Sequence, residues 1–125
     1  MANNLFEKSF NLKNNSYLPS KFKPLWGQKG VFTSIPIIGK TPRFIGLNRY
    51  LSTFNNTCRD YKFDAKLNPK MIRELIGEDI KQIKIFNHLL RIATNGTTLS
   101  ISLRKRTMTK SSVIAVSYTH LRAHE

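Results

Sequence analysis

The sequence contains little cysteine and no long apolar run, and both shortages exclude classes of protein. Cys58 is the single cysteine among 125 residues, so neither an internal disulfide nor a cysteine-based zinc ribbon can form. The first residues lack the apolar run of a secretory signal, and no stretch of about 18 apolar residues occurs. These absences predict a cytoplasmic or virion-associated protein without a membrane span.

Acidic residues are also scarce. The chain has 7 Asp and Glu against 21 Lys and Arg, which gives a net charge of +14. For a chain that is long enough for one small domain, such one-sided charge predicts a polyanionic partner. Nucleic acid, either DNA or RNA, is the first candidate, and an anionic membrane surface is the second.

Groups that could perform catalysis are few. His88 is the one histidine outside the last ten residues, and no two carboxylates have a spacing that fixes both in one site. Glu74 and Glu78 fit a solvated helical pair, and Cys58 fits a small buried apolar residue. The sequence therefore favours a non-enzymatic protein, and it predicts no catalytic residue, metal or cofactor.

The N-terminal half, residues 1–66, is rich in aromatic residues, proline and glycine. Proline and glycine at such short intervals predict short strands and turns. Strands are expected at residues 30–38 and 43–47, and a short helix at 48–57. Pro36 should confine the first strand to an edge of the sheet or end it early.

Residues 69–93 carry the clearest helical pattern. Asn68 and Pro69 form a start signal, and apolar residues then recur at helical spacing opposite a basic side. Gly77 and Asp79 interrupt this pattern. It predicts either one long helix or a helix-turn-helix that breaks at Gly77, with Asp79 capping the second helix.

A β-hairpin is predicted after this helical segment. Asn95 and Gly96 signal a turn, and residues 97–103 alternate between apolar and polar side chains, as a half-buried strand does. Residues 111–116 are expected to return as the second strand. The predicted fold class is thus α+β, in one domain, and helix plus hairpin weakly resembles a winged helix.

The last ten residues, VSYTHLRAHE, differ from the rest. Over its whole length this segment resembles the conceptual translation of a transposase-type sequencing adapter. The resemblance implies a draft or environmental assembly with a reading frame truncated near Ala115, so the hairpin is expected to be cut short. The i,i+4 spacing of His120 and His124 would suit a metal on a helix, but it is given no functional weight.

The sequence feature that points most directly to a function is a set of basic residues interleaved with aromatic ones. Cations neutralise phosphates, and planar rings stack on unpaired bases. Trp26, in a loop between Pro24 and Gly27, fits either a stacking residue or a core residue, whereas Phe32, Phe44 and Phe54 are expected in the core. The predicted nucleic-acid-binding residues are Lys21, Lys23, Trp26, Lys29, Lys40, Arg43, Arg73, Lys81, Lys84, Arg91, Arg104, Lys105 and Arg106.

These features predict a nucleic-acid-binding protein of a phage or mobile element. Two alternatives stay open. One is a structural or assembly protein of a virion or ribosome, with the basic N-terminal half as an arm. The other is the N-terminal fragment of a larger enzyme.

Overall fold

The computed structural model describes residues 4–13, 16–25 and 29–106, which form a six-stranded antiparallel sheet with two helices on one face. Along the sheet the strand order is β2-β1-β6-β5-β3-β4. The strands are β1 (Asn4–Lys13), β2 (Ser16–Ser20), β3 (Val31–Gly39), β4 (Arg43–Phe44), β5 (Phe86–Thr94) and β6 (Thr98–Lys105), and the helices are α1 (Leu47–Asp60) and α2 (Pro69–Ile76).

The predicted fold class is wrong, because the described residues form mainly an antiparallel sheet with two short helices, at 43% strand and 23% helix. Residues 86–93, which were assigned to a helix, lie in β5, so the described residues form neither a helix-turn-helix nor a winged helix. The error has a physical cause: residues i and i+4, such as Phe86 and Leu90, share a face in a strand as well as in a helix. The pattern that decides is the alternating burial of Phe86, His88, Leu90 and Ile92.

The predicted hairpin is wrong too. β6 pairs with β5, which precedes it, and with β1, rather than with residues 111–116, which lie outside the described residues. The Asn95–Gly96 turn is confirmed, and it connects two strands instead of ending a helix. The helix predicted at residues 48–57 is confirmed as α1, while the strand predicted at 43–47 shortens to β4.

The start of α2 agrees with its sequence signal. The Asn68 side chain accepts a hydrogen bond from the Met71 backbone N–H at 2.9 Å, and the helix ends at Ile76 with Gly77 as its C-cap. The break at Gly77 is therefore confirmed, but Asp79 caps no second helix. Its carboxylate instead lies 2.7 Å from Lys8 Nζ in β1, 71 positions away.

One face of the sheet carries the core. Ile35 and Ile37 of β3 and Leu90 and Ile92 of β5 are fully buried there. Burial of each such side chain stabilises the fold by about 1.5–3 kcal/mol. The helices supply the opposing layer through Leu47, Tyr50, Leu51, Phe54, Cys58, Ile72 and Ile76.

The connection from β2 to β3 crosses the other face, because β2 lies at one edge of the sheet and β3 lies near the opposite edge. We call its residues 21–25 the strap. The Lys23 backbone N–H donates to Ser9 Oγ at 2.9 Å, and Ser100 Oγ donates to the Lys23 carbonyl at 2.6 Å. The two hydroxyls lie 2.8 Å apart. Small serine side chains let the strap approach the sheet, so β6 is buried on both faces instead of half-buried.

Pro36 neither ends β3 nor restricts it to the edge of the sheet. β3 pairs with β5 along its whole length and with β4 on its other side. The Pro36 carbonyl accepts a hydrogen bond from the Ile45 N–H at 2.9 Å. Because the N and O of one strand residue project to the same side, the imino nitrogen of Pro36 also faces the β4 side. The ladder with β5 therefore loses no hydrogen bond.

Candidate nucleic-acid interface

Four arginines lie on the face of the sheet opposite the helices, at the end that the strap leaves open. We call this set, Arg43, Arg91, Arg104 and Arg106, the arginine face. Paired residues of neighbouring strands point to the same side of a sheet, as do residues two apart on one strand. On β5, Asn87, Leu89 and Arg91 point to the same side. Arg43 joins them because it pairs with Ile38, which pairs with Asn87, and Arg104 joins them because it pairs with Leu89. Arg106 follows Arg104 by two residues, and its N–H donates to the Asn87 carbonyl at 2.9 Å.

The arginine face concentrates positive charge. Arg91 and Arg104 are diagonal neighbours on β5 and β6, a relation that places side chains about 7–8 Å apart. Burial lowers the pKa of Arg91, and the charge of Arg104 lowers it further. The guanidinium group of Arg91 nevertheless stays charged at neutral pH. A phosphate near Arg91 and Arg104 would interact favourably with both charges.

Acidic residues are segregated from this surface. Among the described residues, Glu7, which pairs with Ser102, is the acidic residue on the arginine face. The other described carboxylates occupy positions 60–79, in the layer of α1, α2 and their connections. The two layers therefore differ in charge balance: the helical layer mixes both signs, and the arginine face is almost wholly basic.

The strap adds cations on the same side of the sheet. Lys21 and Lys23 are exposed, while the backbone of Lys23 is held by the serine hydrogen bonds described above. Lys29 is exposed immediately before β3. Trp26 lies outside the described residues.

Lys40 and Arg43 lie together at the end of the sheet where β3 turns into β4. Gly39, Lys40 and Thr41 form an ordinary turn, with Gly39 at φ +99°. Both cations are exposed, and Arg43 belongs to the arginine face. Lys40 therefore extends the basic surface at this end.

The remaining predicted binding residues are not brought together with the arginine face. Lys105 pairs with His88 on the opposite side of the sheet, where burial first and then the charge of Lys105 lower the pKa of His88. The Arg73 guanidinium lies 5.7 Å from the centre of the Phe44 ring, in the helical layer. Lys81 pairs with Glu78 at 3.0 Å, and Lys84 is exposed in the loop before β5.

Sequence reasoning missed Phe32. It was expected in the core with Phe44 and Phe54, but its side chain is 59% exposed on the same side of the sheet as the arginine face, whereas Phe54 is buried and Phe44 is partly buried against the core. The signal was present in the two-residue alternation of Val31, Ile35 and Ile37, which places residues 32, 34 and 36 on the other face.

The described residues contain no group of three or more His, Cys, Asp or Glu side chains that could hold a metal ion. The thiol of Cys58 is fully buried, and burial raises its pKa to about 11. A thiol with so high a pKa is a poor nucleophile at neutral pH.

Comparison of the chain with models of protein families, with curated proteins and with solved structures found no match. Neither α1 nor α2, the helices of the described residues, has the length and apolarity needed to cross a membrane.

Proposed function

We propose that this protein binds nucleic acid through the arginine face and the strap, by neutralising backbone phosphates. The observation that carries the proposal is that Arg43 of β4, Arg91 of β5, Arg104 of β6 and Arg106, directly after β6, all lie on one face of the sheet. Guanidinium groups form paired, charge-assisted hydrogen bonds with phosphate oxygens. Binding of this kind is expected for both DNA and RNA, because phosphates are common to both.

The distribution of charged residues supports binding of nucleic acid to one side of the molecule. Five of the described carboxylates lie in the helical layer, so repulsion of phosphates by acidic side chains is weakest on the arginine face. Sheets that contact nucleic acid with one face are an established mode of recognition. We place the protein in the cytoplasm or a virion, as part of a phage or mobile element.

The test compares two double variants. Arg104→Gln with Arg106→Gln removes two charges from the arginine face, and Arg49→Gln with Arg59→Gln removes two exposed charges from α1. Binding of a fluorescently labelled oligonucleotide is measured by anisotropy over a range of salt concentrations. We expect the first variant to flatten the slope of log K against log salt by about 1.4–1.8, since each lost phosphate contact removes about 0.7–0.9. The α1 variant should keep the wild-type slope.

Lys105→Gln is a further control, because Lys105 lies between the two arginines in sequence but faces the other side of the sheet. Lys8 is unsuitable, since its charge is paired with Asp79. Equal losses per charge removed in all three variants would indicate binding by diffuse charge and would contradict the arginine face. Wild-type binding that does not weaken between low and moderate salt would contradict phosphate neutralisation itself.

A further inference from the structure

Phe32 stands out among the exposed apolar side chains. Six large apolar residues are exposed in the described chain, and two of them, Phe32 at 59% and Tyr61 at 51%, are aromatic. Tyr61 lies in the helical layer, just after α1, and its ring packs edge-on against Phe63. Phe32 instead shares a face with the arginines. Single exposed apolar residues are ordinary, so the location of Phe32 carries the argument.

The surroundings of Phe32 leave its ring accessible. Its partner on β5 is Ala93, whose side chain is too small to cover a phenyl ring. On the outer side of β3, β4 pairs only with Ile37 and Ile38. Among the described residues no strand therefore flanks Phe32 on that side. The ring lies at an open margin of the sheet.

Cations lie close to this ring. Arg91 pairs with Ser34, two residues along β3 from Phe32 and on the same face. This diagonal relation places side chains about 7–8 Å apart. Lys29 is exposed three residues before Phe32. A nucleotide whose base lay on the Phe32 ring would thus have guanidinium and ammonium groups within reach of its phosphates.

We infer that the arginine face binds single-stranded nucleic acid, with Phe32 as the ring on which one base stacks. This inference rests on the function proposed above and specifies its substrate class. In a duplex the bases are already stacked on one another and are unavailable to a side chain, whereas an unpaired base exposes its flat surface. A ring beside arginines then recognises a single strand without recognising its sequence.

The test measures binding of one labelled DNA oligonucleotide, alone and annealed to its complement, to the full chain and its variants. Phe32→Ala should weaken single-strand binding by about five- to 100-fold, the usual loss when a stacking ring is replaced by alanine. Duplex binding and the salt slope should stay unchanged, because no phosphate contact is lost. Phe32→Leu should weaken single-strand binding as much as Phe32→Ala does, while Phe32→Trp should bind single strands as the wild type does.

Tyr61→Ala is the matched control, because it removes an exposed ring from the other layer. It should bind like the wild type. Circular dichroism should show unaltered folding in all four variants, since both side chains are mostly exposed.

The possible outcomes separate the two proposals. If the arginine double variant flattens the salt slope but Phe32→Ala binds single strands as the wild type does, stacking is refuted and phosphate binding stands. Equal weakening of single-strand and duplex binding by Phe32→Ala would also overturn the preference for single strands. If the wild type binds neither form at low salt, the proposed function itself fails.

Discussion

Cys58 illustrates how burial limits chemistry at the scale of one residue. It lies in α1 against the sheet and is fully buried, as its sequence context predicted. Desolvation disfavours the thiolate and raises the pKa of Cys58 to about 11. A residue that could have been a nucleophile is therefore a packing residue.

The raised pKa of Cys58 predicts a decline in stability at high pH. As the pH rises, the unfolded thiol ionises near its ordinary pKa of 9.0, while the folded thiol keeps its proton until about 11. The unfolded state thus binds fewer protons in this window, so the free energy of unfolding should fall between these two pH values. Urea unfolding at a series of pH values measures the decline.

Cys58→Ala is the control for this prediction. Burial also raises the pKa of Tyr17, which contributes to the decline in both proteins. The variant should lose stability less steeply above pH 9 than the wild type does, even if its stability at neutral pH is lower. Parallel curves for the two proteins would contradict a buried, protonated thiol.

At the scale of one element, the strap determines which part of the sheet stays open. Its backbone is held by Ser9 and Ser100, whose hydroxyls also contact each other. This attachment carries Lys21 and Lys23 to the side of the sheet that bears the arginines. The strap, which the sequence shows only as part of a basic, aromatic segment, therefore forms part of the side of the sheet that bears the arginines.

Ser9→Ala should loosen the strap without unfolding the sheet. The substitution removes the acceptor of the Lys23 N–H, and such a hydrogen bond contributes about 0.5–1.5 kcal/mol. We therefore expect the Lys23 amide to exchange with solvent about two- to tenfold faster, as measured by NMR. Ser52→Ala, at an exposed position of α1, should leave this rate unchanged. An unaltered rate in Ser9→Ala would mean that other contacts hold the strap.

The elements differ in how well the sequence predicted them. The start of α2 depends on the Asn68 cap and was predicted, and α1 was predicted from its local periodicity, although it ends at Asp60 and not at residue 57. β5 was not predicted, because the apolar residues Phe86 and Leu90 satisfy helical and strand spacing alike. His88 and Arg91, three residues apart, would share one face of a helix, but in β5 they lie on opposite faces of the sheet.

At the scale of the whole molecule, contacts distant in sequence dominate the fold. β1, the first described strand, pairs with β6, the last, over Asn4–Asn11 and Thr98–Arg104. β2 can join the sheet only through β1, since it pairs with no other strand of the described chain. The sheet is complete only when the two ends of the described chain have met.

This topology predicts slow folding. Closing a loop of most of the chain costs entropy before the β1–β6 contacts can offset it. Folding should therefore take milliseconds to seconds, as in other small proteins dominated by non-local pairing. Stopped-flow circular dichroism after dilution from denaturant measures the rate. Folding within microseconds, typical of helical bundles, would contradict the control of the rate by β1–β6 pairing.

The sequence by itself determined the net charge of +14, the lack of disulfides, the two helix starts and the Asn95–Gly96 turn, because each depends on composition or on neighbouring residues. Only the tertiary structure decided that four arginines share a face with Phe32, that Lys105 faces away, and that Lys8 is paired with Asp79. Those relations arise from strand pairing between residues far apart in the chain. A one-residue change in register would turn every side chain of a strand to the other face, so local patterns could not specify the surface.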